Sequence, residues 1–89
     1  MPLELPVKLN EEKGIITVDL KGTLNDYTFE QFLKKITELS DKKNFKTIRL
    51  NFYHLKYINS KGMSLLVNLH YLIKKKEKTL ELEEVPDNM

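Results

Sequence analysis

Eighty-nine residues with a formal net charge of +2 allow one small domain, spanning 1–89, whose folding buries about 60–65% of the surface that the unfolded chain exposes. Hydrophobic residues at 40% and charged residues at 31% exclude a disordered segment. The lack of cysteine excludes disulfides, thiol catalysis and cysteine-ligated metals, and lysines interleaved with glutamates speak against a nucleic-acid binder.

Met1-Pro2-Leu3-Glu4 has no basic stretch followed by an apolar one, so no signal peptide is read there and a cytoplasmic location is expected. Leu3, Leu5, Val7 and Leu9 alternate against Glu4 and Lys8 and predict a first strand over Leu3 to Leu9. Asn10 to Gly14 reads as a turn, and Ile16, Val18 and Leu20 mark one face of a second strand, making a hairpin. Lys21 to Asp26 breaks the pattern. A helix then begins near Thr28, which with Gln31 fits a capping box. Phe29, Phe32, Leu33, Ile36 and Leu39 form its apolar stripe, opposite Glu30, Lys34, Lys35 and Glu38.

Thr47 to Phe52 predicts a strand with Ile48 and Leu50 on one face, Thr47 and Arg49 on the other. Tyr53 to Ile58 reads as an irregular connection. A second helix is expected from about Ser60 to Lys76, then a closing strand from Thr79 to Val85. Its apolar run from Leu65 to Ile73 is interrupted by Asn68 and His70 and is too short for a bilayer, so no membrane insertion is expected. The predicted fold class is α/β, a four-stranded mixed sheet with both helices on one face.

The chemistry concentrates at Tyr57-Ile58-Asn59-Ser60-Lys61-Gly62-Met63. Ser60 is expected to cap the second helix by accepting from the amide of Gly62 or Met63, with Gly62 allowing close approach to the first turn. A helix N-terminus favours an anion, so a phosphoryl group on Ser60 fits the folded domain. His54 and His70 have no ligand neighbours at zinc spacing, no glycine-rich phosphate loop is present, and no hydrolase triad is suggested. No enzyme, metal or cofactor is expected. Lys74-Lys75-Lys76 and Lys78 read as a solvated helix C-terminus rather than a phosphate patch. Met63, Leu66, Val67, His70 and Ile73 are expected to face the sheet. Leu65, Leu69 and Leu72 make a second stripe, either buried or a hydrophobic interface.

These landmarks resemble the STAS domain family, which includes anti-sigma-factor antagonists of bacteria and the cytoplasmic tails of sulfate transporters. Gly22-Thr23-Leu24-Asn25 resembles the family's Gly-x-Leu-Asp segment, Ile48-Arg49-Leu50-Asn51 its central strand, and Tyr57 to Met63 its aromatic-apolar-Asp-Ser-Ser/Thr-Gly-Leu signature. The resemblance implies a non-catalytic regulatory module acting in transcription, bound by an anti-sigma factor that is also a GHKL-type serine kinase. It implies phosphorylation of Ser60 and a partner surface of Asn25, Asn59, Ser60, Lys61, Gly62 and Met63. Asn25 and Asn59 stand where the family has aspartate, and Lys61 where it has a small hydroxyl residue. These departures leave open a scaffold that holds its partner constitutively, in a stress complex, a transporter or a lipid-transport assembly. Family members generally continue with another helix and often a strand, where this sequence stops at Pro86-Asp87-Asn88-Met89. The resemblance thus implies a C-terminally truncated domain, or a partner or second copy (a homo-oligomer) in that helix's place.

Overall fold

A computed structural model describes residues 3–87. Strands β1 (Val7–Asn10), β2 (Ile15–Asp19), β4 (Thr47–Asn51) and β6 (Thr79–Glu83) form one sheet in the order β1-β2-β4-β6. β1 runs antiparallel to β2 at one edge, and β2, β4 and β6 are mutually parallel. Register sets Ile16 beside Ile48 and Leu80, and Val18 beside Leu50 and Leu82. Strand alternation sends these rows to one face. The other face carries Thr17, Arg49 and Glu81, then Asp19, Asn51 and Glu83.

Helices α1 (Phe29–Ser40) and α2 (Ser60–Lys75) both cover the apolar face, since Phe32, Ile36, Leu39, Leu66, Leu69 and Ile73 join one core with Ile16, Val18, Ile48 and Leu50. The four-stranded mixed sheet with helices on one face is therefore as expected. On α2 the sheet-facing residues are Gly62, Leu66, Leu69 and Ile73, while Met63, Val67 and His70 are exposed. The apolar residues outnumber what one face holds, and packing against the sheet selects the 62-66-69-73 row.

Several local expectations need correcting. The main ladder starts at Val7 rather than Leu3: Pro6 has no N–H to donate, and Leu3 is instead buried while Glu4 and Lys21 exchange backbone hydrogen bonds of 2.8 and 3.0 Å. No capping box forms at Thr28. Its hydroxyl donates to the Thr23 carbonyl at 2.8 Å and accepts from the Asn25 amide at 3.0 Å. The Gln31 amide reaches the Leu3 carbonyl at 2.7 Å. The closing strand ends at Glu83, because Glu84 has φ +57° and leaves the extended region.

The connection after β4 holds a strand, β5 (Leu55–Ile58), paired in parallel with β3 (Gly22–Leu24) in a separate two-stranded sheet. Both strands lie in segments whose period is too short to read alone. The pairing is non-local. Gly22, at φ +108°, sits where the register shifts, a conformation that a side chain rarely adopts.

The basic run is partly solvated and partly structural. Lys74 and Lys75 lie in the last turn of α2 and are exposed. Lys76 Nζ reaches Ser40 Oγ at 2.6 Å and Asp41 at 2.9 Å, and Lys78 Nζ donates to the carbonyls of Ser40 and Lys42. Two lysines thus serve the C-terminus of α1, whose own last turn has no basic residue.

Candidate functional site

β3 and β5 run parallel and end together, with Leu24 paired to Ile58. The residues that follow each strand, Asn25-Asp26 and Asn59-Ser60, therefore emerge side by side. The Asn59 amide donates to the Leu24 carbonyl at 3.3 Å, and Asn59 Nδ2 donates to Asp26 Oδ1 at 3.2 Å. Asn25 organises its own turn: its Oδ1 accepts from the Tyr27 amide at 2.9 Å, and its carbonyl accepts from Thr28 and Phe29.

Asn59, not Ser60, caps α2. Asn59 sits at extended dihedrals, with Oδ1 accepting from the Gly62 amide at 2.8 Å. Sequence reading favoured Ser60, and either residue type makes a good cap. The Leu24–Ile58 pairing decided it by holding residue 59 extended. Ser60 becomes the first helical residue, exposed, with its hydroxyl bonded to no other described residue.

Gly62 is buried against Ile58 and Phe29. A Cβ there would lie 2.7 Å from Ile58 Cγ1 and 3.3 Å from Phe29 Cε1. This close approach seats the first turn of α2 on β5 and the start of α1. Lys61 is exposed, its Nζ 6.0 Å from the centroid of the Phe29 ring, and Met63 is 42% exposed.

Asn25, Asn59, Ser60, Lys61, Gly62 and Met63 are thus gathered at one end of the domain. The stripe of Leu65, Leu69 and Leu72 is not a surface. Leu69 is 1% exposed and belongs to the core, Leu65 is half-buried, and only Leu72 is open at 41%. Two contributors went unread in the sequence. Asp26 supplies a carboxylate beside the helix start, and Tyr27 follows it at 95% exposure. Its signal was an aromatic inside a polar turn. Tyr57, on β5, is also exposed, so aromatic side chains lie on both strands' ends of the site.

The sequence matches the STAS domain family over residues 6–89. The chain belongs to the STAS domain family. The same STAS fold recurs in the crystal structure of Mglu, with a TM-score of 0.75, 20% identity and 93% of this chain covered. The chain spans 20% of the length of Mglu. Unphosphorylated SpoIIAA, an anti-sigma-factor antagonist, superposes with a TM-score of 0.71 at 20% identity, over 93% of this chain and 76% of SpoIIAA. An antisigma-factor antagonist STAS domain from Rhodobacter sphaeroides gives 0.74 at 8% identity, over 99% of this chain and 96% of its own. At these identities the likeness establishes the fold. No helix among the described residues is long and apolar enough to cross a membrane.

Proposed function

We propose that this STAS domain is a non-catalytic regulatory module of the antagonist type. It binds an anti-sigma factor with serine-kinase activity through the Asn25 turn and the start of α2, and phosphorylation of Ser60 releases it. The observation that carries this reading is the free Ser60 hydroxyl: because Asn59 caps the helix, Ser60 is exposed and bonded to no other described residue. Ser60 Oγ attacks the γ-phosphorus of the partner's ATP, the bond to the bridging oxygen breaks, ADP leaves, and the hydroxyl proton passes to a base of the partner.

The helix N-terminus supports the product. Its first turn carries no acidic residue, so an anion meets free amides and the positive end of the dipole, with Asp26, held by Asn59, as the neighbouring carboxylate. Phosphorylation then acts on binding, because a phosphate pushed into an interface with no cation to receive it costs affinity. A second reading, a constitutive STAS scaffold, is favoured by Lys61, whose ammonium beside Ser60 offsets a phosphate's charge.

The test is to incubate the domain with ATP and the GHKL-type kinases of its own genome, mapping phosphate by mass spectrometry. Phosphate on Ser60, and a Ser60→Asp variant that binds the kinase about tenfold or more weakly (~1.4 kcal/mol per tenfold), support the switch. An unmodified Ser60, with Ser60→Asp binding at wild-type affinity, leaves the scaffold reading in its place.

A further inference from the structure

The geometry points to Tyr27 as the anchor of the Ser60 surface: a partner protein buries its ring in an apolar pocket that also holds an acceptor for the phenol hydroxyl. The inference rests on the proposed reading of Ser60 and names the residue that gives that surface its affinity. Tyr27 is 95% exposed, more than any other large apolar or aromatic side chain among the described residues. Its ring meets no other aromatic ring among them, whereas Tyr53 packs edge-on against His54 at 4.9 Å and Tyr71 stands 5.5 Å from His70. A single exposed aromatic is ordinary on a protein surface. What sets Tyr27 apart is the backbone beneath it.

The Tyr27 amide donates to Asn25 Oδ1 at 2.9 Å, and the Asn25 carbonyl accepts from the amides of Thr28 and Phe29 at 3.1 and 3.0 Å. Thr28 Oγ1 accepts from the Asn25 amide at 3.0 Å and donates to the Thr23 carbonyl at 2.8 Å. On the other side of Tyr27, Asp26 is held by Asn59 Nδ2 at 3.2 Å. A turn bonded in this way is set before a partner arrives, and only the two side-chain torsions of Tyr27 are left to order. Aromatic side chains on ordered backbone are common energetic centres of interfaces, because they bury a large area at small entropic cost. Asp26 precedes Tyr27 and its bonding partner Asn59 precedes Ser60. The ring and the hydroxyl therefore fall within one interface of standard size, about 800 Å² on each side.

The neighbours of Tyr27 choose among occupants. Asp26 and Glu30 flank it in sequence and are exposed, and their charge repels a nucleic-acid strand stacking a base on the ring, or an anionic membrane. Two copies meeting at Tyr27 bring their Asp26 carboxylates toward one another, a like-charge contact. A pocket of a partner protein takes both ring and hydroxyl. Tyr27 touches no reacting atom, so its burial is the same in the ground state and in the transition state of phosphoryl transfer. It is an anchoring residue that lowers KM and leaves kcat alone.

The experiment measures Kd, and KM and kcat for Ser60 phosphorylation, with the GHKL-type kinases of the same genome. The full chain is compared with its Tyr27→Ala, Tyr27→Phe and Tyr53→Ala variants. Tyr27→Ala is expected to raise Kd and KM about thirtyfold or more, with kcat within about twofold and Tm within about 3 °C of wild type. Tyr27→Phe keeps the ring and should stay within about tenfold. Tyr53, 70% exposed, lies beyond the far end of β5, which is about 13 Å long, and Tyr53→Ala should bind as wild type. Three results overturn the anchor while leaving the Ser60 switch: unchanged Kd and KM in Tyr27→Ala, an equal loss in Tyr53→Ala, or a fall in kcat at constant KM. Self-association of the chain that Tyr27→Ala abolishes also overturns it, in favour of a second copy. Binding that needs Tyr27 while Ser60 stays unmodified removes the switch and supports the anchor. A wild-type chain that binds none of the kinases removes both.

Discussion

Asn59 Nδ2 donates to Asp26 Oδ1 at 3.2 Å while Asn59 Oδ1 accepts from the Gly62 amide at 2.8 Å. One side chain thus closes the helix start and ties it to the β3 turn. An amide can do both, whereas an ionised carboxylate has no proton to give. The site carries its carboxylate at Asp26, and Asn59 is the donor that this position calls for.

Exchanging the partners tests that pairing. Asn59→Asp keeps the cap, because aspartate caps as well as asparagine, but sets two carboxylates against each other. The pair is exposed, so a loss of only about 0.5–1 kcal/mol is expected. Adding Asp26→Asn should recover most of it in a double-mutant cycle followed by urea unfolding. Additive losses would mean that the two side chains do not interact.

Gly62→Ala sets two effects against each other. Helix propensity favours alanine by about 1 kcal/mol. The added Cβ meets Ile58 Cγ1 at 2.7 Å, an atom too close to its own backbone to swing away, and such overpacking costs about 1–3 kcal/mol. Net destabilisation is expected in thermal melts, and less of it in an Ile58→Ala background. A Gly62→Ala variant more stable than wild type would mean that the contact is readily relieved.

Leu69 and Leu72 separate core from surface on one helix. Leu69→Ala should cost about 2–5 kcal/mol, and Leu69→Glu should prevent folding by burying a charge without a partner. Leu72→Glu should change stability by less than about 0.5 kcal/mol. Circular dichroism of the three variants checks the order.

Ser60→Asp should slightly stabilise the folded domain. It places a carboxylate in a first turn that has none, worth about 0.3–1 kcal/mol at low salt and less at high salt. A lower Tm at low salt would contradict the placement of Ser60 at the head of α2.

Lys76→Met should destabilise through a different helix from the one it follows. The variant leaves Ser40 Oγ and Asp41 without their ammonium partner at the end of α1, for a loss of about 1 kcal/mol. Hydrogen exchange should quicken at the C-terminal turn of α1 more than at that of α2.

The amino-acid sequence by itself determined the strands β2 and β4, both helices and the one-faced sheet, because apolar residues at period two and at helical spacing are local signals. The family resemblance pointed to Asn25 and to Asn59–Met63, segments that the fold brings to one end of the domain. Three matters were decided only by tertiary structure. β3 and β5 exist because each is the other's partner, and segments of three and four residues carry no readable period alone. Their common end selected Asn59 over Ser60 as the cap and brought Asp26 to it, a choice invisible while serine and asparagine cap equally well. On α2, whose apolar residues exceed one face, packing against the sheet buried Leu69 and left Val67 and Tyr71 in water. Composition sets how many residues can be buried, but only the neighbouring sheet chooses which.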